Sequence, residues 1–222
     1  MLPNISRVKS AQQIMGSVVK ALMPGRAGVE RTRIYHATLM PCFDKKLEAS
    51  REDFTDSETG DKEVDCVITT LEIEELMEQK QIRLSQCEPS KLDTLSNGED
   101  GLVRANTGSG SGGYSDHLFR YLARHEFNQE LETLSYKVMK NTDFREVTLE
   151  RDGKAVLKFA IANGFRNIQN LVQKLKRKRC DYDFVEILAC PSGCLNGGAQ
   201  LRPQLEMSAK VVSLTSKTRR HC

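Results

Sequence analysis

The segment "FVEILACPSGCLNGGAQ" (residues 184–200) begins as a short apolar run and continues into a loop with two cysteines. Cys190 and Cys194 are separated by Pro-Ser-Gly and followed by an Asn-Gly-Gly turn. The run before Cys190 is apolar enough for a buried strand. In α/β sheets, ligands collect at the carboxyl ends of strands. The sequence therefore predicts a functional site at this loop.

Composition restricts the class of protein. The chain has 222 residues, of which 39% are hydrophobic and 28% charged, with a net charge of +3. This balance allows a real core and argues against nucleic acid as a partner bound through bulk positive charge. The apolar runs are too short to span a bilayer, and no segment has the order of a secretory signal. We expect a soluble, cytoplasmic chain without a membrane partner.

The pattern of elements predicts an α/β fold with a mixed sheet flanked by helices, because strands and helices alternate around one hairpin. Ser10 is the expected N-cap of the first helix, whose apolar stripe consists of Ile14, Val18, Ala21 and Leu22. Asp152-Gly153 is the expected hairpin turn. The predicted helices cover residues 10–23, 71–80, 114–127 and 166–177, and the predicted strands cover residues 33–40, 64–70, 145–160 (the hairpin) and 183–189.

Two segments interrupt this pattern. Residues 96–113 contain too many glycines and serines to pack, which predicts a flexible loop. Residues 207–222 have no strong periodicity and end in a basic cluster, which predicts a disordered tail. We therefore expect one domain over residues 1–206, interrupted by the loop and followed by the tail.

Seven cysteines at irregular spacing favour buried thiols or metal ligands over a disulfide framework. Cys42 follows a predicted strand, as Cys190 and Cys194 do, so the three thiols could meet. Several thiolates suit an iron–sulfur cluster or zinc, although zinc pairs are more often spaced C-x₂-C. Backbone N–H groups near the thiols can donate to the sulfurs and tune the metal, and the candidates are Gly193, Gly197 and Gly198.

Other uses of these residues remain open. Buried structural cysteines are common, and Cys66, Cys87, Cys180 and Cys222 show no functional pattern. A cysteine–histidine nucleophile is an alternative, but no histidine is clearly presented to Cys42 or Cys190. Lys45 and Glu48 either begin a solvated helix or lie beside a cluster, with Lys45 offsetting its negative charge. The basic stretch at residues 174–180 fits a solvated helix face better than a nucleic-acid or nuclear-import patch.

Two motifs resemble those of the iron-only hydrogenase superfamily. "MPCFDKKLE" (residues 40–48) resembles M-P-C-x-x-K-x-x-E, and residues 184–200 resemble E-x-M-x-C-x-x-G-C-x-x-G-G-G-Q. Together with "GSGSGGYSDHLFR" and "NGFRNIQNLVQKLKR", they resemble the eukaryotic hydrogenase-like branch. The resemblance implies a partial iron-only hydrogenase-like large-domain fold, corresponding to the C-terminal portion of the family protein.

The resemblance also implies a cofactor. The family holds a [4Fe–4S] cluster with four cysteines, and Cys42, Cys190 and Cys194 match three of them. The fourth belongs to an upstream T-S-A-C-P-G-W-type motif that this sequence does not contain. Lys45 and Glu48 match the motif positions near the cluster. Phe43, Asp44 and Ala199 depart from the hydrogenase pattern, and the proton-relay cysteine lies in the missing motif, so no catalysis is expected.

In this branch the implied role is delivery of [4Fe–4S] clusters to cytosolic and nuclear apoproteins. The implied partners are those apoproteins and a cytosolic iron–sulfur targeting complex that includes a WD40-propeller subunit. The implied location is the cytoplasm and also the nucleus. The alternative is a metal-free protein-interaction module, nuclear and lamin-associated.

Overall fold

The structure is a computed structural model that describes residues 2–90 and 112–202 of the chain. Its helices are α1 (Ala11–Ala27), α2 (Asp44–Ala49), α3 (Thr70–Gln79), α4 (Tyr114–Phe127) and α5 (Phe165–Lys176). Its strands are β1 (Ala37–Met40), β2 (Cys66–Thr69), β3 (Lys137–Val138), β4 (Phe144–Arg151), β5 (Lys154–Asn163) and β6 (Phe184–Leu188). Each helix among these residues is too short or too polar to span a bilayer.

The strands form two sheets. β1 and β2 pair in parallel as a two-stranded sheet, with Ala37 opposite Cys66. The second sheet has the order β3-β4-β5-β6, in which β5 pairs antiparallel with β4 and parallel with β6. The predicted α/β fold with a mixed sheet is therefore confirmed. The parallel β1–β2 pair forms a second, separate sheet.

The larger core lies between α4 and the mixed sheet. Phe119 of α4 is 1% exposed, and its ring meets that of Phe159 edge to face at a centroid distance of 5.2 Å. Ala123, Val147, Leu149 and Leu157 complete the buried cluster. Edge-to-face pairs in such a core add to the gain from burying apolar area. This core fixes β5, and β5 in turn fixes β6 and the loop that follows it.

Polar contacts hold α1 against the two-stranded sheet. Lys20 is 2% exposed, and its ammonium lies 2.9 Å from an Asp61 oxygen and 3.0 Å from an Asp65 oxygen. Gln12 accepts a hydrogen bond from the Thr38 hydroxyl (3.1 Å). Because a buried ion pair is costly to break, these contacts fix the rotation of α1 about its axis.

Local signals predicted most elements. The Ser10 hydroxyl accepts from the Gln13 N–H, as expected for an N-cap. Asp152 and Gly153 both have positive φ in the hairpin turn. The strand predicted over residues 33–40 is shorter, since residues 31–33 form a 3₁₀ turn and β1 begins at Ala37. The predicted tail and most of the predicted Gly/Ser loop lie outside the described residues.

Candidate metal centre

The three candidate cysteines follow strands of different sheets. Cys42 comes two residues after β1 ends, is buried, and precedes α2. Cys190 and Cys194 come after β6 and are half-buried. Both loops are at the carboxyl ends of their strands, the usual position of ligand sites in α/β folds.

A backbone hydrogen bond joins the two loops. The Ala199 N–H donates to the Pro41 carbonyl (3.0 Å), one residue before Cys42. The Ala199 carbonyl accepts from the Leu71 N–H (3.3 Å) at the start of α3. Ala199 itself is fully buried. The loop after β6 is therefore attached to the β1–β2 unit beside Cys42.

Gly197 makes the close approach of the loops possible. A Cβ atom at this position would lie 2.2 Å from the Pro41 carbonyl oxygen and 3.1 Å from the Cys194 carbonyl oxygen. Both neighbours are backbone atoms, which cannot move aside as a flexible side chain can. Only glycine fits here without displacing one of the two loops.

Cys42 and Cys194 lie near enough to Cys190 to affect the pKa of its thiol. The pKa of the Cys190 thiol is raised above its usual value, first by burial and next by Cys42. Cys194 and Asp44 raise this pKa further. The Gly198 N–H donates a hydrogen bond to the Cys190 sulfur, which opposes the rise. The structure thus brings Cys42, Cys190 and Cys194 into one region, where the Gly198 N–H donates to the Cys190 sulfur.

The other two glycines use their N–H groups differently. The Gly193 N–H donates to the Cys190 carbonyl (3.1 Å), and the Gly197 N–H donates to the Cys194 carbonyl (3.0 Å). Gly193 has φ +80° and ψ −164°, a conformation essentially reserved for glycine. Gly193 and Gly197 therefore shape the turns that carry the thiols, whereas Gly198 donates to the Cys190 sulfur.

Lys45 and Glu48 tie α2 to the start of α1. The Lys45 ammonium lies 2.8 Å from one Glu48 oxygen, and the other Glu48 oxygen accepts from the Ser10 hydroxyl. The Gln12 amide donates to the Lys45 carbonyl (3.1 Å). These contacts hold the first turn of α2, which begins two residues after Cys42.

Glu186 lies near the site and was not among the residues predicted to belong to it. It lies in β6, is 7% exposed, and accepts from the Ser115 N–H (2.8 Å) and the Tyr114 N–H at the N-terminus of α4. Gly112 packs directly against this carboxylate, because a Cβ atom at position 112 would lie 2.1 Å from Glu186 Oε1. The available signals were its charge inside an otherwise apolar strand and its place as the first residue of the E-x-M-x-C motif. Glu186 thus connects α4 to the strand that carries Cys190.

We expect Glu186 to make stability depend on pH. Burial, as the main cause, raises the pKa of this carboxyl group above its ordinary value of 4.5, although backbone N–H donors oppose the shift. When the pKa of a group is higher in the folded state than in the unfolded state, its contribution to stability is fully present at pH values below the unfolded-state pKa. The contribution is lost as the pH rises through the folded-state pKa. Glu186→Gln removes this titration.

The melting temperature of the parent minus that of Glu186→Gln should therefore fall as the pH rises above the ordinary carboxyl pKa of 4.5. Thermal unfolding followed by circular dichroism measures it. A difference that stays constant, or grows with pH, would contradict the assigned direction.

The remaining thiols and histidines lie elsewhere. Cys66 is in β2, and Cys87 and Cys180 are in loops. His36 precedes β1, at the opposite end of the strand from Cys42, and its Nδ1 lies 2.9 Å from the Glu63 carbonyl oxygen. His117 and His125 are exposed on α4. In residues 2–90 and 112–202, no group of three or more His, Cys, Asp or Glu side chains could hold a metal ion as arranged.

Comparison with known proteins gives a family match and curated relatives. Residues 1–198 match the family described as "Iron only hydrogenase large subunit, C-terminal domain". "Cytosolic Fe-S cluster assembly factor narfl" from Danio rerio is 54% identical over 213 residues, which cover 95% of this chain and 51% of the relative. A "Probable cytosolic Fe-S cluster assembly factor" from Drosophila melanogaster is 55% identical, with 91% and 43% covered. The chain spans about half the length of these relatives.

Solved structures agree in fold. An [FeFe]-hydrogenase studied for its inactivation by oxygen is 26% identical, with a TM-score of 0.72 over 92% of this chain and 57% of that chain. A variant of the [FeFe]-hydrogenase from Chlamydomonas reinhardtii is 24% identical, with a TM-score of 0.74 over 92% and 58%. The resemblance seen in the two cysteine motifs is thus confirmed.

Proposed function

Because this chain belongs to the iron-only hydrogenase large-subunit family, we propose that it is an iron–sulfur protein of cytosolic Fe–S cluster assembly. In this proposal Cys42, Cys190 and Cys194 hold a [4Fe–4S] cluster. The chain acts as a carrier that passes clusters to apoproteins and does not turn over hydrogen. The names of relatives that share more than half of its residues support the assembly role.

One observation carries the proposal. The Ala199–Pro41 hydrogen bond brings together two loops whose cysteines are about 150 positions apart in sequence, and Cys42 and Cys194 both raise the pKa of the Cys190 thiol. The loops are far apart along the chain, so chain connectivity alone does not bring them together. Their convergence at the carboxyl ends of strands supports a shared ligand.

The donor set suits a cluster better than a single ion. Thiolates are the ligands of iron–sulfur clusters, and hydrogen bonds to the sulfurs tune the cluster. The Gly198 N–H already donates to the Cys190 sulfur. A cluster of several irons separates its thiolates more widely than one ion does, which is compatible with the lack of a single-ion site among the described residues. Three thiolates leave one position for a further ligand, which the family takes from its upstream motif.

The neighbouring residues have supporting roles in this proposal. Gly193 and Gly197 shape the loop, and Gly198 donates to sulfur. Lys45 and Glu48 fix the segment after Cys42 through the contacts with Ser10 and Gln12. The Lys45 ammonium also adds positive charge beside a cluster that, with its thiolates, is anionic.

The proposal extends to partners and location. We infer that the chain works in the cytoplasm, and also in the nucleus, with a targeting complex that contains a WD40-propeller subunit. Its acceptors are apoproteins that require [4Fe–4S] clusters. The family branch suggests these points, and the names of the relatives, whose chains are about twice as long, support the cytosolic assembly role alone.

Cluster transfer tests this function. The chain is reconstituted anaerobically with iron and sulfide, freed of unbound reagents, and mixed with an apo-enzyme that needs a [4Fe–4S] cluster. We expect the acceptor to regain activity faster than with the same amount of free iron and sulfide. A chelator that captures free iron should leave the transfer largely intact, because the cluster passes between proteins.

Recovery no faster than with free iron and sulfide would contradict the carrier role. Iron near zero after anaerobic reconstitution would favour the metal-free interaction module instead. The two results are distinguishable because iron content is measured before the acceptor is added.

A further inference from the structure

Four basic residues follow one another where α5 ends, and we call them the basic run: Lys176, Arg177, Lys178 and Arg179. The sequence pattern favours a solvated helix face for this stretch. The structure differs, because α5 ends at Lys176 and the other three residues lie beyond its last turn. All four residues are exposed. The basic run is therefore a short segment of surface chain and not one face of a helix.

The acidic side chains that follow the basic run are engaged by another lysine. Asp181 lies 2.6 Å from the Lys158 ammonium, and the Asp183 carboxylate accepts a hydrogen bond from the Lys158 backbone N–H (2.8 Å). Glu146 also lies near this ammonium, at 3.8 Å. Within the part of the chain that the structure describes, no acidic side chain forms an ion pair with the basic run. Its positive charge is therefore available to a partner.

Lys178 occupies a backbone position that favours glycine. Its φ is +54°, in the left-handed region. The Lys178 N–H donates to the Leu175 carbonyl (3.1 Å), and the next N–H along the chain donates to the Lys174 carbonyl (2.9 Å). This pair of bonds ends many helices, usually with glycine in the left-handed position, because a Cβ atom is disfavoured there. The sequence thus has a positive charge where an uncharged residue would be more stable.

The helix dipole explains only part of this charge. Cations in the last turn of a helix interact favourably with its carbonyl end, which accounts for Lys174 and Lys176. The Lys174 ammonium also lies 5.7 Å from the Phe144 ring centroid and 5.2 Å from that of Tyr182. Lys178 lies beyond the last turn, where the dipole effect falls off. Because strained backbone is concentrated at functional sites, its charge points to recognition by a partner.

We propose that the basic run is a nuclear import signal, which binds as a short extended segment in the acidic groove of a soluble import adaptor. Short runs rich in Lys and Arg serve nuclear import or bind nucleic acid. Nucleic acid requires a broad basic face, whereas here the charge is confined to four adjacent residues and the net charge of the chain is only +3. Extending the run breaks the bonds at the helix end but releases the left-handed conformation of Lys178.

This inference deepens the nuclear location in the proposed function, on which it rests, but it does not depend on iron. It is therefore tested on metal-free protein, separately from cluster transfer.

The test measures binding of the full 222-residue chain to a purified import adaptor from which its own inhibitory basic segment has been removed. We expect saturable binding that weakens as salt is added, because exposed charges are screened. Arg177→Gln with Lys178→Gly should weaken this binding at least about tenfold, because two charges that face the acidic groove are lost. Glycine suits the left-handed position, so this variant is expected to keep its fold, which circular dichroism verifies.

Lys80→Gln with Arg83→Gln is the matched control, because it also removes two exposed positive charges, just after the end of α3. This control should bind the adaptor like the parent. The chain fused to a carrier too large for passive diffusion should accumulate in the nuclei of permeabilised cells, and the fused Arg177/Lys178 variant should not.

No binding of the parent to the adaptor, or equal losses in the two double variants, would overturn the proposal. Binding to duplex DNA that the Arg177/Lys178 variant loses, without binding to the adaptor, would overturn it as well and assign the basic run to nucleic acid. The same variant should transfer clusters like the parent, so a failure of import is distinguishable from a failure of the carrier function.

Discussion

Replacing Cys190 and Cys194 together by serine is expected to abolish cluster binding by the anaerobically reconstituted chain. The parent should show the broad visible absorption of thiolate-ligated iron, with iron and acid-labile sulfide in similar amounts. Serine oxygen is a harder ligand that replaces thiolate poorly on such clusters, and the variant would retain one of three thiolates. Absorption, iron and sulfide should fall to background in the same samples.

The matched control is Cys87→Ser with Cys180→Ser, which also removes two thiols but from loops away from the site. This control should bind as much iron and sulfide as the parent. Equal binding by both double variants would show that iron is held by other groups, or adventitiously. Thermal unfolding of the metal-free variants separates loss of ligands from loss of the fold.

Gly197→Ala is expected to weaken both the fold and cluster retention. The added methyl would lie 2.2 Å from the Pro41 carbonyl oxygen, well inside contact distance, and backbone on both sides limits relaxation. Overpacking of this kind costs about 1–3 kcal/mol, and we expect the upper part of that range. Relief by moving the loops apart would lengthen the Ala199–Pro41 hydrogen bond and separate Cys42 from Cys190.

The neighbouring glycine provides the control. A Cβ at Gly198 meets no atom within 4 Å, and Gly198→Ala keeps the N–H that donates to the Cys190 sulfur. This variant should unfold at the parent's denaturant midpoint and lose its cluster at the parent's rate in air. Similar losses in both variants would show that the loop needs general flexibility, and that the close approach to Pro41 is not the cause.

The structural features that were predicted correctly from the sequence are those that depend on residues close together along the chain. The Ser10 cap, the Asp152-Gly153 turn and the apolar strand before Cys190 each use signals within a few positions. Two cysteine motifs at strand ends were enough to indicate one site, because strand direction determines where loops meet. The family resemblance added the kind of cofactor, which spacing alone left open between a cluster, zinc and structural thiols.

Features that depend on distant residues were not predicted. The stripe of Ile14, Val18 and Leu22 suggested a helix packed on its apolar face, but the partners that turn the helix are Asp61 and Asp65, about forty residues later. Glu186 acquires its role from backbone N–H groups at the start of α4, 71 positions away in the case of Ser115. Periodicity reports which face is apolar, and not which face is covered.

X-ray absorption at the iron edge of the anaerobically reconstituted chain tests the central claim most directly, namely that Cys42, Cys190 and Cys194 together hold an iron–sulfur cluster. A cluster on these thiols predicts a first shell dominated by sulfur and a second shell of neighbouring irons, both lost in the Cys190/Cys194 serine variant. A first shell of oxygen or nitrogen without iron neighbours, or spectra that are the same in parent and variant, would contradict it.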